Sequence, residues 1–309
     1  MKKQQFYAIL AAAAGYSIFG FSFLATRIAA GIATPLLLLA LRNLTAWLVL
    51  SILLFCRIVK FDFRKKGIWK LFLTGLCQPV LYALAETYGI GLAGSAVAGS
   101  IIATSTIFSM LLAVFFIGEP FRPTQFLFAA GSVAGVCMIT LPGAVSGSIN
   151  LLGVFLLLAA ALFSALYNIL SKKLADTFTP FERTYIMFFT GSVIFSALAF
   201  AKNKGKTLQA AASCLKNRQF LLCLLFLAIF SSVIAFLLIN FSFSRISVRQ
   251  TAVFSSLTTA ISAVAGVVLL KESLGPIEIC GIAVILICVY KVGAMPDTEA
   301  APQIKSNEI

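Results

Sequence analysis

The chain has 309 residues, of which 61% are hydrophobic and 11% charged, and a balance this apolar excludes an ordinary soluble domain. Its formal net charge of +14 does not point to nucleic acid, because the basic residues lie mostly between or beside apolar runs, where they set membrane topology. There is no histidine, which excludes His-ligated metal sites, Ser-His-Asp catalysis and a histidine proton relay.

Ten apolar runs approach or exceed the length that crosses a bilayer, at 6–26, 35–57, 68–92, 93–117, 123–141, 151–170, 181–201, 219–239, 248–270 and 275–292. With no water in the hydrocarbon core, each must satisfy its own backbone, and long continuous runs fit helices rather than alternating barrel strands. The predicted fold class is an all-α integral membrane protein of ten transmembrane helices.

The first run follows Lys2 and Lys3 and passes the alanines at 11–14, so it reads as an uncleaved helix rather than a signal peptide. Its midpoint offers Tyr16 and Ser17 beside Gly15 and Gly20. Thr34-Pro35 opens the second run and Thr179-Pro180 the seventh; threonine can cap free amides, and proline at the first helical position loses no bond. Arg42 lies seven residues below Pro35, about 10 Å deep at roughly 1.5 Å per residue. In the third run Thr74, Gln78, Tyr82 and Glu86 recur every four residues and so share a predicted helix face, beside a kink expected at Pro79. Polar groups in hydrocarbon are costly, so this stripe should face a hydrated cavity or another helix. Glu86 lies about 9 Å deep by the same rise. It is placed either to pair with Arg42 as an ion pair or gate, or to bind a cationic group or a proton.

A glycine-containing turn is expected around Gly89, Gly91 and Gly94. The fourth run then carries Gly91, Ser95, Gly99 and Ala103 at four-residue spacing, which permits close helix approach. Thr104, Ser105 and Thr106 fall near mid-membrane, as do Thr258 and Thr259 in the ninth run. Hydroxyls there can bond carbonyls of their own helix, but two clusters at related positions fit a shared central site. Asn168, near the end of the sixth run, is a candidate gate. Glu119 and Glu272 each end a span four residues before a proline, and are read as structural groups that accept from free amides and complement the next helix. All seven cysteines read as small apolar packing residues, not a disulfide frame.

The chain repeats itself. At an offset of 153, Thr106 matches Thr259, Ser109 matches Ser262, Glu119 matches Glu272 and Pro123 matches Pro276; Thr34-Pro35 matches Thr179-Pro180 at 145. The difference, 153 − 145 = 8, places an insertion in 202–218, which is basic and reads as a short surface helix. An odd number of helices per copy makes the two units inverted repeats, 1–147 and 148–293, followed by a disordered tail at 294–309. With both termini in the cytoplasm, 16 basic residues lie inside and 8 outside, although 202–218 puts five of the eight on the outer face.

Ile117-Gly118-Glu119-Pro120 and Leu270-Lys271-Glu272-Ser273, with Arg42-Asn43-Leu44-Thr45-Ala46, resemble the repeat signature of EamA-type carriers, the ten-helix branch of the drug/metabolite transporter superfamily. The resemblance implies a central cavity lined chiefly by the first, third, fourth, sixth, eighth and ninth helices, and movement of small metabolites. The second copy lacks a match for Arg42.

The expected function is secondary transport, by alternating access, of a small metabolite across the cytoplasmic membrane. An exported amino acid or derivative is the first choice of cargo; import of a nucleotide-like cofactor or sugar conjugate is the alternative. A membrane enzyme or a non-transporting subunit is the reading from another class, but an enzyme lacks an acid/base cluster here. The expected partners are a small-molecule substrate, the lipid bilayer and a coupling proton or exchanged solute, in a monomer or homodimer, with no cofactor, metal or nucleic acid. Gln78, Tyr82, Glu86, Tyr16, Thr104, Thr106, Thr258 and Thr259 are the expected binding residues.

Overall fold

The computed structural model describes residues 3–62, 67–93, 98, 101–141, 150–202, 207–270 and 275–295, and the described residues are helical apart from short connections. In chain order the helices are α1 (Lys3–Ala30), α2 (Pro35–Phe55), α3 (Trp69–Gly75), α4 (Tyr82–Ala93), α5 (Ser105–Ile117), α6 (Pro123–Thr140) and α7 (Leu151–Lys173). There follow α8 (Pro180–Lys202), α9 (Thr207–Lys216), α10 (Arg218–Leu225), α11 (Ala235–Phe243), α12 (Val248–Val253), α13 (Ser256–Leu270) and α14 (Pro276–Ala294). Eight described segments are long and apolar enough to cross a membrane, with Arg218–Phe243 and Val248–Val268 each counted as one. Ile101–Ile117 is a shorter apolar helix. The chain is a multi-pass helical membrane protein.

Two segments are not regular helices. Between α3 and α4, Leu76–Leu81 forms wide π-type turns in which Gln78 is extended (φ −145°, ψ 123°), and the Gln78–Pro79 peptide is cis. Phe226–Ile234 joins α10 to α11 through the same kind of wide turn, without a proline. Subtracting the repeat offset of 153 carries Phe226–Ile234 onto 73–81, so the two irregularities occupy corresponding places. Wide turns of this kind cost helix hydrogen bonding and concentrate at functional positions.

The connections obey local chemistry unevenly. Thr179 and Glu182 form a reciprocal cap, the Glu182 amide donating to Thr179 Oγ1 and Glu182 Oε2 accepting from the Thr179 amide. Thr34 makes no such side-chain bond, so its helix relies on Pro35 at the first position. Asn150 and Asn217 cap α7 and α10 through their side-chain oxygens. The basic segment contains α9, whose Thr207 and Cys214 are buried while Leu208 and Lys216 face outward. All seven cysteines are free, though Cys56 and Cys280 are exposed rather than packed inside.

The halves interlock. α1 packs on α11 and α13, and α7 packs on α4 and α5; α2 pairs with α8, and α6 with α14. This set maps onto itself when each apolar segment is exchanged for the one five places later. Bare backbone permits the closest contacts: a Cβ on Gly135 would lie 2.9 Å from the Gly281 carbonyl oxygen. Gly89 lies inside α4, not in a turn, and packs against Leu157. The predicted turn at Gly94, the small residues Ser95 and Gly99, Glu272 and the tail from 296 onward lie outside the described residues. Gly293 packs beside Ile9, so α1 begins and α14 ends at the same end of the bundle, called here the terminal end.

Candidate functional site

A cavity of about 50 Å³ lies between the halves. Tyr16 and Phe19 of α1, Gln78 of the first wide turn, and Ser105 and Thr106 of α5 line it from one half. Ser164, Tyr167 and Asn168 of α7, Phe236 and Ile239 of α11, Ala252 of α12 and Ser255 line it from the other. The extended backbone at Gln78 takes this residue out of the helical ladder and leaves it at the cavity wall. Among the described residues, the Tyr16 hydroxyl, the Gln78 amide and the Ser105 and Ser164 hydroxyls make no hydrogen bond to protein, although all line this space. Tyr16 and Ser105 are buried and Gln78 and Ser164 half-buried, and these four offer donors and acceptors to whatever occupies the cavity. Tyr16, Phe19, Tyr167 and Phe236 add aromatic surface; Phe19 and Phe236 meet edge to face with centroids 5.1 Å apart.

Of the residues singled out from sequence, Tyr16, Gln78, Ser105, Thr106 and Asn168 stand at this cavity. Thr106 shares a 3.0 Å hydrogen bond with Ser255, joining the halves, and Asn168 donates to Ser109 Oγ at 2.9 Å. Asn168 therefore sits on the cavity wall, and α7 continues past it to Lys173. Thr104 is turned to its own helix, donating to the Ile101 carbonyl, and Thr258 donates to the Tyr16 carbonyl. Thr259 is half-buried away from the lining. Thr74 is buried and bonded to the Leu71 carbonyl; the extended Gln78 breaks the continuous face predicted for the stripe.

Tyr82 and Glu86 form a second group, one and two turns of α4 further from the terminal end. Tyr82 donates to Glu86 Oε1 at 2.8 Å. Arg42 lies close enough to both for its charge to be felt, but the direct Arg42–Glu86 ion pair is not formed. The guanidinium instead donates to Ser232 Oγ at 2.8 Å and Ser231 Oγ at 3.0 Å, both in the second wide turn. Nothing local marks these serines as partners; only their place does, since at the 153 offset they correspond to Gln78 and Pro79.

Glu119 corrects the expectation that it serves the helix after it. It is 3% exposed, accepts from the Val248 amide at 2.8 Å, and pairs with Arg249 Nε at 2.8 Å. It thus caps α12 of the other half rather than α6, because α5 and α12 are packed together at the terminal end. Arg249 also donates to the Pro120 carbonyl. Arg249 and Arg183, two of the basic residues on the inner side by charge count, are both 2% exposed. Their burial could have been suspected from their position at the starts of apolar spans. Asn240 is the hub beside Arg183, accepting from Tyr167 at 3.2 Å and donating to Thr184 Oγ1 at 2.9 Å.

The comparisons with known proteins agree with this architecture. The EamA-like transporter family matches twice, over residues 6–141 and 151–293. The chain belongs to the EamA-like transporter family. Among its relatives, a Bacillus subtilis (strain 168) protein described as uncharacterized transporter YcxC is 33% identical over 290 residues, covering 93% of each chain. Uncharacterized transporter YetK of the same organism is 24% identical over 288 residues, covering 92% of this chain and 86% of YetK. A solved crystal structure superposes with a TM-score of 0.73 at 21% identity, covering 93% of this chain and 98% of that one, which shows the shared fold. The chain is accordingly a membrane transporter, as a member of this family. Among the described residues, no group of three or more His, Cys, Asp or Glu side chains could hold a metal.

Proposed function

We propose that the chain is a secondary transporter that moves a small polar metabolite through the central cavity by alternating access. Its architecture is read as ten transmembrane helices in two inverted five-helix repeats, 1–147 and 148–293. The wide turns at corresponding places and the self-mapping contacts between the halves support that reading. The terminal end is assigned to the cytoplasm of the plasma membrane by the excess of basic residues there.

The observation that carries the function is the cavity itself: four polar side chains without protein partners, from both halves, at the junction between them. Side chains that serve packing alone are normally bonded to protein; among the described residues these four instead leave their polar atoms open to the cavity. At about 50 Å³ the cavity holds little more than a water or two, so this conformation is closed around its site and must open to load. Gln78, Tyr16 and Thr106 are proposed to contact cargo, with Asn168 shaping the wall. Tyr82, Glu86 and Arg42 form the approach from the far end. Carboxylate and guanidinium are held apart there by separate partners, an arrangement suited to the ammonium and carboxylate of an amino acid or derivative, which is the proposed cargo, moved outward. Thr104, Thr258 and Thr259 are assigned to the supporting helices.

Flux of a radiolabelled amino-acid panel in proteoliposomes tests this. Uptake or efflux of at least one member that is abolished by Gln78→Leu, with normal insertion, is the expected result. Absence of flux for the panel would overturn the cargo, and flux unaffected by Gln78→Leu would overturn the site.

A further inference from the structure

Arg183 is a buried cation with no carboxylate within ion-pair distance among the described residues. Its guanidinium donates to the Ser171 carbonyl at 2.6 Å, Ser171 Oγ at 2.8 Å, the Asn240 carbonyl at 2.6 Å, and Ser244 Oγ. Its Nε is buried without a partner. A charge in a membrane span whose hydrogen bonds all go to neutral groups, with Asp176 acting on it only through space, is an expensive arrangement, and such groups usually mark a solute path.

Its location gives the expense a purpose. On one side Tyr167 lines the central cavity and donates to Asn240, which Arg183 holds. On the other side Ser244, a direct partner of Arg183, lines a second cavity of about 250 Å³ that opens at the terminal end. That vestibule is walled by the 175–180 connection, Phe241 and Arg245. The hydrogen-bonded chain Tyr167–Asn240–Arg183–Ser244 therefore runs from the wall of one space to the wall of the other. On the wall itself Arg245 and Asp176 oppose one another; behind it stand Arg183, Lys172 and Glu182, whose carboxylate accepts from the Thr179 amide, so three basic groups face two acidic ones. The balance of charge is positive.

We propose that the vestibule is a second solute site that takes an anionic group, and that Arg183 is the movable partition between it and the central cavity. The guanidinium exchanges its serine and asparagine oxygens for the oxygens of the anion as the solute passes. The partition role rests on the reading of the central cavity as the transport site; the anion site does not.

Thiol labelling of the full chain in oriented vesicles, resolved by mass spectrometry at each position, tests both without knowledge of the cargo. A cysteine at the vestibule, Thr177→Cys, should react several-fold faster with an anionic sulfonatoethyl methanethiosulfonate than with its cationic trimethylammonium counterpart, after correction for their rates with free thiol. Sodium acetate or sodium phosphate should protect it relative to sodium chloride at equal ionic strength, and the protecting salt tells a carboxylate site from a phosphate site. Equal rates, or protection by neither salt, would overturn the anion site. A cysteine at the central cavity, Ser164→Cys, should react several-fold faster from the terminal end when Arg183→Gln is added, and less so with Arg183→Lys. Unchanged reactivity in monodisperse Arg183→Gln protein would overturn the partition. Ser244→Ala, which strips one acceptor from the guanidinium, repeats that test if Arg183→Gln does not fold. Loss of flux in every panel member would leave the labelling results standing, so the two failures are distinguishable.

Discussion

Glu119 and Arg249 are the clearest case of a residue whose chemistry reaches across the molecule. The carboxylate neutralises a buried guanidinium and caps a helix start at once. Removing one partner leaves an uncompensated charge, a loss of about 3–5 kcal/mol in known buried pairs, whereas removing both costs less. Glu119→Gln and Arg249→Gln should therefore each lower the apparent melting temperature in detergent, and the double variant should fall well short of the sum. Strict additivity would show that the pair is not coupled. Glu86 should behave differently. It is half-buried and among the described residues bonds only Tyr82, so Glu86→Gln should change flux far more than thermal stability, and Tyr82→Phe should shift flux in the same direction. Equal losses of folding and flux would make Glu86 scaffolding. At this scale the sequence was informative about Tyr16, Gln78, Thr106 and Asn168, because polar side chains in apolar runs stand out. It was silent on Tyr167, Ser164 and Asn240, whose polarity is ordinary in isolation and becomes meaningful only through their neighbours.

The helices show which local signals carry and which do not. Pro79 announced an interruption of the third run, and the interruption is there, but as an extended residue at Gln78 rather than a bend in a continuous helix. Its counterpart at Phe226–Ile234 contains neither proline nor glycine, so no local rule marks it. It became legible only through the repeat. The insertion in 202–218 was readable from the two offsets, and its middle is the helix α9. Contacts between helices were less accessible. Small residues permit close approach without naming the partner, and the α6–α14 crossing at Gly135 depends on Gly281 and Ile285 far along the chain. A Cβ at Gly135 would stand 2.9 Å from Ile285 Cγ1, so Gly135→Val should cost about 1–3 kcal/mol by overpacking, read as a lower melting temperature. Gly31→Ala, whose nearest neighbour would be 3.5 Å away, should leave it unchanged. The opposite ranking would contradict the crossing.

For the whole molecule, the duplication explains more than either half does alone. Each half leaves apolar faces that only the other covers, since α1 rests on α11 and α13 while α7 rests on α4 and α5. The cavity lies where the first wide turn, through Gln78, meets small hydroxyl residues of both halves. Because α1 begins and α14 ends at one end of the bundle, cysteines introduced at Gln4 and Met295 should label from the same face of the membrane; opposite faces would refute the topology. The central claim is that the junction is a wettable site exposed to each side in turn. A cysteine replacing Gln78, treated separately from either face of sealed vesicles with a membrane-impermeant thiol reagent, tests this most directly. Labelling from both faces, slowed by a transported solute, is the predicted result. A properly inserted protein in which Gln78→Cys never reacts, or reacts from one face under every condition, would contradict it.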